Sequence, residues 1–347
     1  METSGIIGTC LMKCPESEVK WRQRERLIHL LEADEATVSG PAGRRRADRD
    51  RMIKSFERSA AGRPVSERRC LRPPAVLLET VGYVFHSVLP RAESVGWPAV
   101  YAFCVDRLRA VRQDLTVQQA AGPQALAVLR RCALFHLYAD YRSRDCPLDV
   151  FDRHINTRQL QECLLGVLRL QQAQPDGPTE LCERFEAVHL LTSLPHERRM
   201  HERWLRPTNR DLRLALEFRN AWELGNFVRA CRLAGEMSPL LQLAVYRHLA
   251  ALRQRGLRVL AAAYGSGSLA VSAAAVAGWL GYDDVTDLRC DVTQCARLTE
   301  RGDAVFDRKL STSQVKVPDR GWLSLERALR DPARLLAVCQ LTDDTQR

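Results

Sequence analysis

Residues 98–119 read PAVYAFCVDRLRAVRQDLTVQQ. Pro98 opens the stretch, and proline suits the first turn of a helix, where its missing N–H would have no partner anyway. Tyr101, Cys104, Val105, Leu108, Val111 and Leu115 recur at steps of mostly three and four. That spacing lines one face of an α-helix rather than alternate faces of a strand. The stretch therefore predicts an amphipathic helix from Pro98 to Gln119 that buries one stripe against other helices. Asp106 and Arg109 lie three apart, placed to pair along the surface. Arg107 and Asp114 project elsewhere, where bridges to the N-terminal segment would satisfy them.

The same reading extends in both directions. Pro73-Pro74 sets up an earlier helix carrying Val76, Leu77, Val81, Val84 and Val88, and Pro90 ends it. Gly122-Pro123 punctuates, and helical patterns follow over 124–141, 157–172, 179–193, 209–222, 225–234, 239–253 and 257–263. Short loops separate them, which is the rhythm of stacked helix pairs in a solenoid-like body. Leu, Ala, Arg, Glu and Gln dominate the composition, all good helix formers. With 46% hydrophobic residues in 347, the chain has ample material for a core and the length of one large or two modest domains.

The pattern changes after residue 268. Leu269–Val271 reads as a short strand, Ser272–Leu280 as a helix with serine at its N-cap, and Asp283–Asp291 as another helix. Ala296–Thr299 and Ala304–Phe306 flank a glycine-bearing turn, a hairpin signal. Helix, strand, helix, helix, hairpin is the order of a winged helix. The expected fold is thus all-α, a helical-repeat solenoid ending in a winged helix with a small β-hairpin. The expected organisation is an extended basic arm over 1–70 with one short helix near Glu18–Glu32, then a helical body over 71–208. Further helices and the winged helix take 209–318, and one helix with a polar tail takes 319–347.

Charge is unevenly placed. The chain carries +10, and residues 44–72 hold 11 Lys+Arg against 4 Asp+Glu. A basic stretch suits RNA, DNA or an acidic protein, or is simply a solvated arm. The twelve cysteines show no pairing pattern, and the opening METSGIIGTC lacks an apolar run suited to secretion. The expectation is a reducing compartment, cytoplasm or nucleus. No stretch reaches 18 apolar residues, so no membrane span is expected.

Motifs that imitate enzymes fail on geometry. Cys10 and Cys14 offer two zinc ligands where structural zinc takes four, so a packed docking turn is the better reading. His196 and His201 are five apart, which turns them about 140° from each other on a helix and prevents a shared metal. Gly265-Ser-Gly-Ser-Leu-Ala270 follows a helical segment rather than a strand of a parallel sheet, which fits a link better than a dinucleotide loop. Neither a catalytic site nor a cofactor nor a small-molecule substrate is expected. Around the winged helix, Arg253, Arg255, Arg258, Arg308, Lys309 and Lys316 are candidates for nucleic-acid contact. Asp283, Asp284, Asp287 and Asp291 make an acidic edge beside them.

Several blocks together resemble a known family. Gly8-Thr-Cys10 with Cys14-Pro15 and Glu18 is similar to the opening of Sac-three/GANP proteins. Ile53–Gly62, with Lys54 and Arg58, resembles the next block, and Leu71–Leu77, with Arg72, Pro73 and Pro74, the third. The most specific block is Tyr101–Asp114, which holds Asp106, Arg107, Arg109, Arg112, Gln113 and Asp114. Asn156 with Gln159-Leu160, and then Gly225-Asn226-Phe227, resemble later ones, all in family order. The resemblance implies a PCI-type fold and a scaffolding role, with these residues serving structure or partner binding. Long relatives organise messenger-RNA export. The short Sac-three homology-domain proteins, which this chain resembles most, are associated with centrosome duplication, the spindle and mitotic progression. The implied partners are a PCI-type protein, a small acidic peptide or centrosomal proteins, with RNA as the alternative. The implied location is cytoplasm, centrosome and spindle, or else the nucleus.

Overall fold

The computed structural model describes residues 6–38, 44–58, 67–173, 180–194, 207–306 and 315–341. The chain forms two compact units. One comprises residues 1–139, 147–176 and 331–347, and the other residues 140–146 and 177–330.

The first unit opens with α1 (Glu16–Arg24) and α2 (Glu35–Val38), continues through α3 (Pro74–Tyr83) and α4 (Ala92–Val95), and is built around α5 (Trp97–Val117), α6 (Pro123–Arg142) and α7 (Arg153–Gln172). α5 matches the helix expected from its periodicity. Its buried stripe runs Val100, Cys104, Arg107, Val111, Asp114, so two charged side chains occupy positions the helical repeat assigns to the core. Val105 lies only part-way in. Tyr101 packs among Trp97, Phe135 and Phe151, with ring centroids 5.3–6.3 Å apart. α3 does not simply stop at Pro90. It widens into a π turn over Val84–Val88, then tightens into a 3-10 turn over Leu89–Arg91.

The segment expected as an extended arm is, over its described residues, packed into this unit. Its helix covers Glu16–Arg24 rather than Glu18–Glu32, because Arg26 turns into the left-handed region at φ 59°. That reversal brings Ile28, Ala33 and Met52 onto Cys14 and Val19 in one apolar cluster. A 3-10 turn, Leu30–Glu32, then delivers Glu32 into the interior.

The second unit holds α8 (Glu180–Thr192), α9 (Arg210–Glu223), α10 (Phe227–Glu236) and α11 (Pro239–Ala263), which stack as successive neighbours. The two helices expected at 239–253 and 257–263 are one continuous α11. Gly256 does not break it; a Cβ there would run into Leu280 and come within 2.9 Å of the Phe227 ring, so the glycine permits close packing. Beyond α11 come β1 (Ala270–Val271), α12 (Ala273–Leu280), α13 (Val285–Val292), β2 (Ala296–Leu298) and β3 (Ala304–Phe306). The sheet is antiparallel in the order β1-β3-β2, with Val271 opposite Ala304 and Ala296 opposite Phe306. This is winged-helix topology. α14 (Leu323–Ala328) follows in the same unit, and α15 (Leu335–Val338) returns to the first. Among the described residues, no helix is long and apolar enough to cross a membrane.

Candidate functional site

The N-terminal blocks and α5 meet in two buried charge clusters. In the first, Glu32 is completely buried. Arg107 reaches it with Nε to Oε1 at 3.3 Å and Nη2 to Oε2 at 3.1 Å. Arg22 of α1 pairs with the same carboxylate and donates to the Ile53 carbonyl at 3.2 Å. The Ile53 amide donates to Glu32 Oε1 at 3.0 Å. Burial alone would push the Glu32 carboxyl up, but the guanidinium groups of Arg107 and Arg22 outweigh it and hold the group below its ordinary range.

In the second cluster the anion is Asp114, also fully buried. Lys54 Nζ donates to Oδ1 and Arg72 Nε to Oδ2, both at 2.7 Å. Lys54 also donates to the Cys70 carbonyl at 2.8 Å, and Arg72 Nη1 to the Lys13 carbonyl at 3.1 Å. Gln118 completes the set. It accepts from the Gly8 amide at 2.9 Å and donates to the carbonyls of Arg72 and Asp114, both at 2.8 Å. A buried ion left without its partner is costly, so each cation here demands its anion and the N-terminal segment is stapled to α5.

Of the remaining motif residues, Asp106, Arg109 and Gln113 support this join and others act elsewhere. Asp106 pairs with Arg107 and accepts from the Phe56 amide at 3.2 Å. The surface pair with Arg109 expected for it does not form, because Arg109 lies over the Phe56 ring, 3.9 Å from its centroid. Gln113 donates to the Glu57 carbonyl at 2.9 Å. Arg112 turns the other way and bonds Glu162 and Gln159 of α7. Cys14 is buried in the apolar cluster, and burial raises its thiol far above the ordinary range. Cys10 is buried too, with Sγ 3.3 Å from the Met12 carbonyl. Pro15 stands just before α1 and its carbonyl accepts the Glu18 and Val19 amides at 3.0 and 3.1 Å, Pro73 and Pro74 start α3, and Asn226 caps α10 by accepting from the Arg229 amide at 3.0 Å. Arg58 is exposed. A cleft of about 700 Å³ opens beside the join, lined by Pro15, Trp21, Lys54, Phe56, Cys70 and Gln113 among others. Its Lys54 is already paired with Asp114, and Glu18 accepts from the amide and hydroxyl of Ser55 at 2.8 Å. Among the described residues, no three His, Cys, Asp or Glu side chains form a metal-ligand set.

Reading the sequence alone missed Glu32, Arg22 and Gln118. Only the helical repeat placing Arg107 and Asp114 on the inner face of α5 hints that such partners exist.

The winged-helix candidates divide. Arg253 is buried, donates to the carbonyls of Leu280 at 3.3 Å and Gly281 at 2.6 Å, and covers the Tyr282 ring. It holds α12 to α11 and is not a surface cation, which corrects its assignment to nucleic-acid contact. Arg255 donates to the Trp222 carbonyl at 3.4 Å. Arg258 and Lys316 are exposed, while Arg308 and Lys309 lie outside the described residues, as do His196 and His201.

Residues 13–299, from the staple to the winged helix, match the model of the SAC3/GANP family. The chain belongs to the SAC3/GANP family. Among curated members it is 27% identical over 276 residues to SAC3 family protein B of Arabidopsis thaliana, covering 74% of this chain and 16% of that protein. To Protein xmas of Drosophila melanogaster it is 26% identical over 282 residues, covering 75% and 13%. To SAC3 family protein 1 of Schizosaccharomyces pombe it is 27% identical over 167 residues, covering 48% and 15%. The chain thus aligns with about a sixth or less of each of these SAC3/GANP relatives. The blocks at Gly8–Glu18, Ile53–Gly62, Leu71–Leu77 and Tyr101–Asp114 converge, over their described residues, on the join between N-terminal segment and α5, while those at Asn156 and Asn226 lie on α7 and at the start of α10.

Proposed function

We propose that this chain is a non-catalytic SAC3/GANP-type scaffold that gathers protein partners in centrosome duplication, spindle organisation and mitotic progression. The observation that supports it best is the state of the motif residues. Lys54, Arg72, Arg107 and Asp114 hold the fold together, which leaves helix faces and the winged helix as the parts that meet other molecules. The cleft beside the staple, with Trp21 at its rim, offers one surface for a protein partner. The working location is the cytoplasm, the centrosome and the spindle. The test is to follow tagged full-length chain through mitosis by imaging and centrosome sedimentation. Co-sedimentation through mitosis is expected, and diffuse signal at every stage contradicts it.

A second reading is an adaptor in messenger-RNA export that binds RNA in the nucleus. Arg297 and Arg301, exposed on the hairpin without a side-chain ion pair among the described residues, favour it, as do Arg44, Arg46, Arg58 and Arg68, the exposed cations of the stretch 44–72 that the fold does not take up. Phosphate contacts make affinity fall steeply with salt. Binding to single-stranded RNA that is insensitive to salt, or absent, would remove this reading.

A further inference from the structure

α12 and α13 stand as the helix pair of the winged helix, and α13 is the second of them. In helix-turn-helix readers the second helix enters the major groove and its neighbours contact phosphates. In this chain α13 is covered on one side by residues 315–323. Arg320 grips it with Nε and Nη2 on the two carboxylate oxygens of Asp291, at 3.0 and 2.7 Å, and Nη1 on Asp287 at 2.8 Å. The Tyr282 hydroxyl donates to Asp291 at 2.8 Å and fixes the acceptor. The Gln294 side chain pairs with the backbone of Lys316 in both directions, at 2.8 and 2.9 Å. At one end Val315 is fully buried and its carbonyl accepts from Gln254. At the other, Trp322 is buried, its amide donates to the Tyr141 hydroxyl at 3.0 Å, and the Leu323 amide donates to Asp283.

What is left of α13 is equally unsuited to phosphate. Its single basic residue, Arg289, is turned onto the carbonyls of Gly302 at 3.2 Å and Arg301 at 3.4 Å. Its exposed positions are Thr286 and Cys290, with Thr293 just beyond its end, and none is a cation. Nucleic-acid backbones are bound chiefly through Lys and Arg. Asp284 caps the helix by accepting from the Thr286 amide at 2.8 Å and keeps a carboxylate at the end where a phosphate would otherwise be drawn.

We propose that residues 315–323 are an intrachain strap, clamped by Arg320, that seals α13, so that this winged helix does not enter a nucleic-acid groove and leaves the hairpin as its open side. The inference does not depend on whether the partner of the whole chain is protein or RNA. It does bear on how this winged helix would meet a nucleic acid, by its hairpin side and not through α13.

Hydrogen exchange on the full chain tests it, with wild type, Arg320→Ala and Arg320→Lys each measured alone and with excess of a 16-base-pair DNA duplex or a single-stranded RNA of mixed sequence. In wild type, the amides of Lys316 and Leu323 are slow and nucleic acid leaves Thr286–Thr293 unchanged. Arg320→Ala speeds both strap amides by roughly ten-fold or more, the scale of a lost charge-assisted bidentate contact. Arg320→Lys keeps the charge but not the fork, so it speeds them less and serves as the reading if the alanine variant loses protection throughout α8–α11. Added protection of α13 by either nucleic acid overturns the proposal. So do strap amides that exchange in wild type as fast as in a free peptide, or that do not respond to either substitution.

Discussion

Arg107 grips both carboxylate oxygens of Glu32 across 75 positions of sequence, and Glu32 has no exposed surface at all. The relationship turns a charged motif on a helix into a fastener for the segment that precedes it by two helices. Several consequences can be measured.

Asp114→Asn leaves Lys54 and Arg72 buried against a neutral side chain. Breaking a buried pair from one side costs about 3–5 kcal/mol. Urea titration followed by circular dichroism should show a loss of that order. Lys54→Met, which leaves the Arg72–Asp114 pair intact, should cost less. Equal losses from the two would mean that Asp114 is not the shared anchor.

Acid should loosen the staple. The Glu32 carboxyl is depressed in the folded state from an ordinary value of 4.5, so the unfolded chain takes up its proton first as pH falls. Its stabilisation is complete above that value and disappears as pH drops through the lower folded value. Histidines whose pKa burial lowers act earlier, His29 among them. Burial holds His136 at about 3 and His248 at about 4, against 6.5 when unfolded. Again the unfolded state binds the proton more readily, so stability falls as pH drops from 6.5 toward those values. Thermal midpoints measured from pH 7.5 to 3.5 should decline first below about 6.5. His248→Gln should flatten the upper part of that decline and Glu32→Gln the lower. A flat curve down to pH 5 in wild type would contradict the assignment of His136 and His248 as buried and neutral.

Gly256→Ala sets two effects against each other. Alanine in place of glycine favours a helix by up to about 1 kcal/mol. Forcing a methyl group against Leu280 and the Phe227 ring costs about 1–3 kcal/mol, and Leu280 is fully buried. Packing should win, and the variant should melt lower than wild type. A higher melting temperature would show that the α11–α12 contact has slack.

How much of this was readable beforehand depends on distance along the chain. The start of α5, to within one residue, and the order of winged-helix elements rest on local spacing and turn residues and appear as expected, while α5 ends at Val117 rather than Gln119, which turns left-handed at φ 49°. The break expected between residues 253 and 257 is absent, and the glycine there has a tertiary role, since only the approach of Leu280 and Phe227 reveals why no side chain stands at 256. Arg253 looked like a surface cation because nothing adjacent in sequence shows the carbonyls of Leu280 and Gly281 that receive it. Glu32 gave no signal at all. It sits in a charged run, and its burial follows from the left-handed turn at Arg26 and from Arg107 arriving 75 residues later.

At the winged helix, the division among arginines gives separable phenotypes. Arg253→Ala should lower thermal stability by about 1–3 kcal/mol, the range for carbonyls that lose a buried donor, and should not selectively weaken RNA binding. Arg297→Ala with Arg301→Ala should leave the melting temperature within a degree or two and reduce the salt dependence of any RNA affinity. A stable Arg253→Ala variant would place that side chain back on the surface.

The most direct measurement is a double-mutant cycle on Glu32 and Arg107 in the full chain, with Glu32→Gln, Arg107→Met and the pair together, read by equilibrium unfolding. The fastening described here predicts strong non-additivity: each single change costs several kcal/mol and the double change recovers about 2 kcal/mol or more of the summed loss. Losses that simply add to within about 0.5 kcal/mol would show that the two residues do not act as a pair, and the stapling of the N-terminal segment to α5 would fall with them.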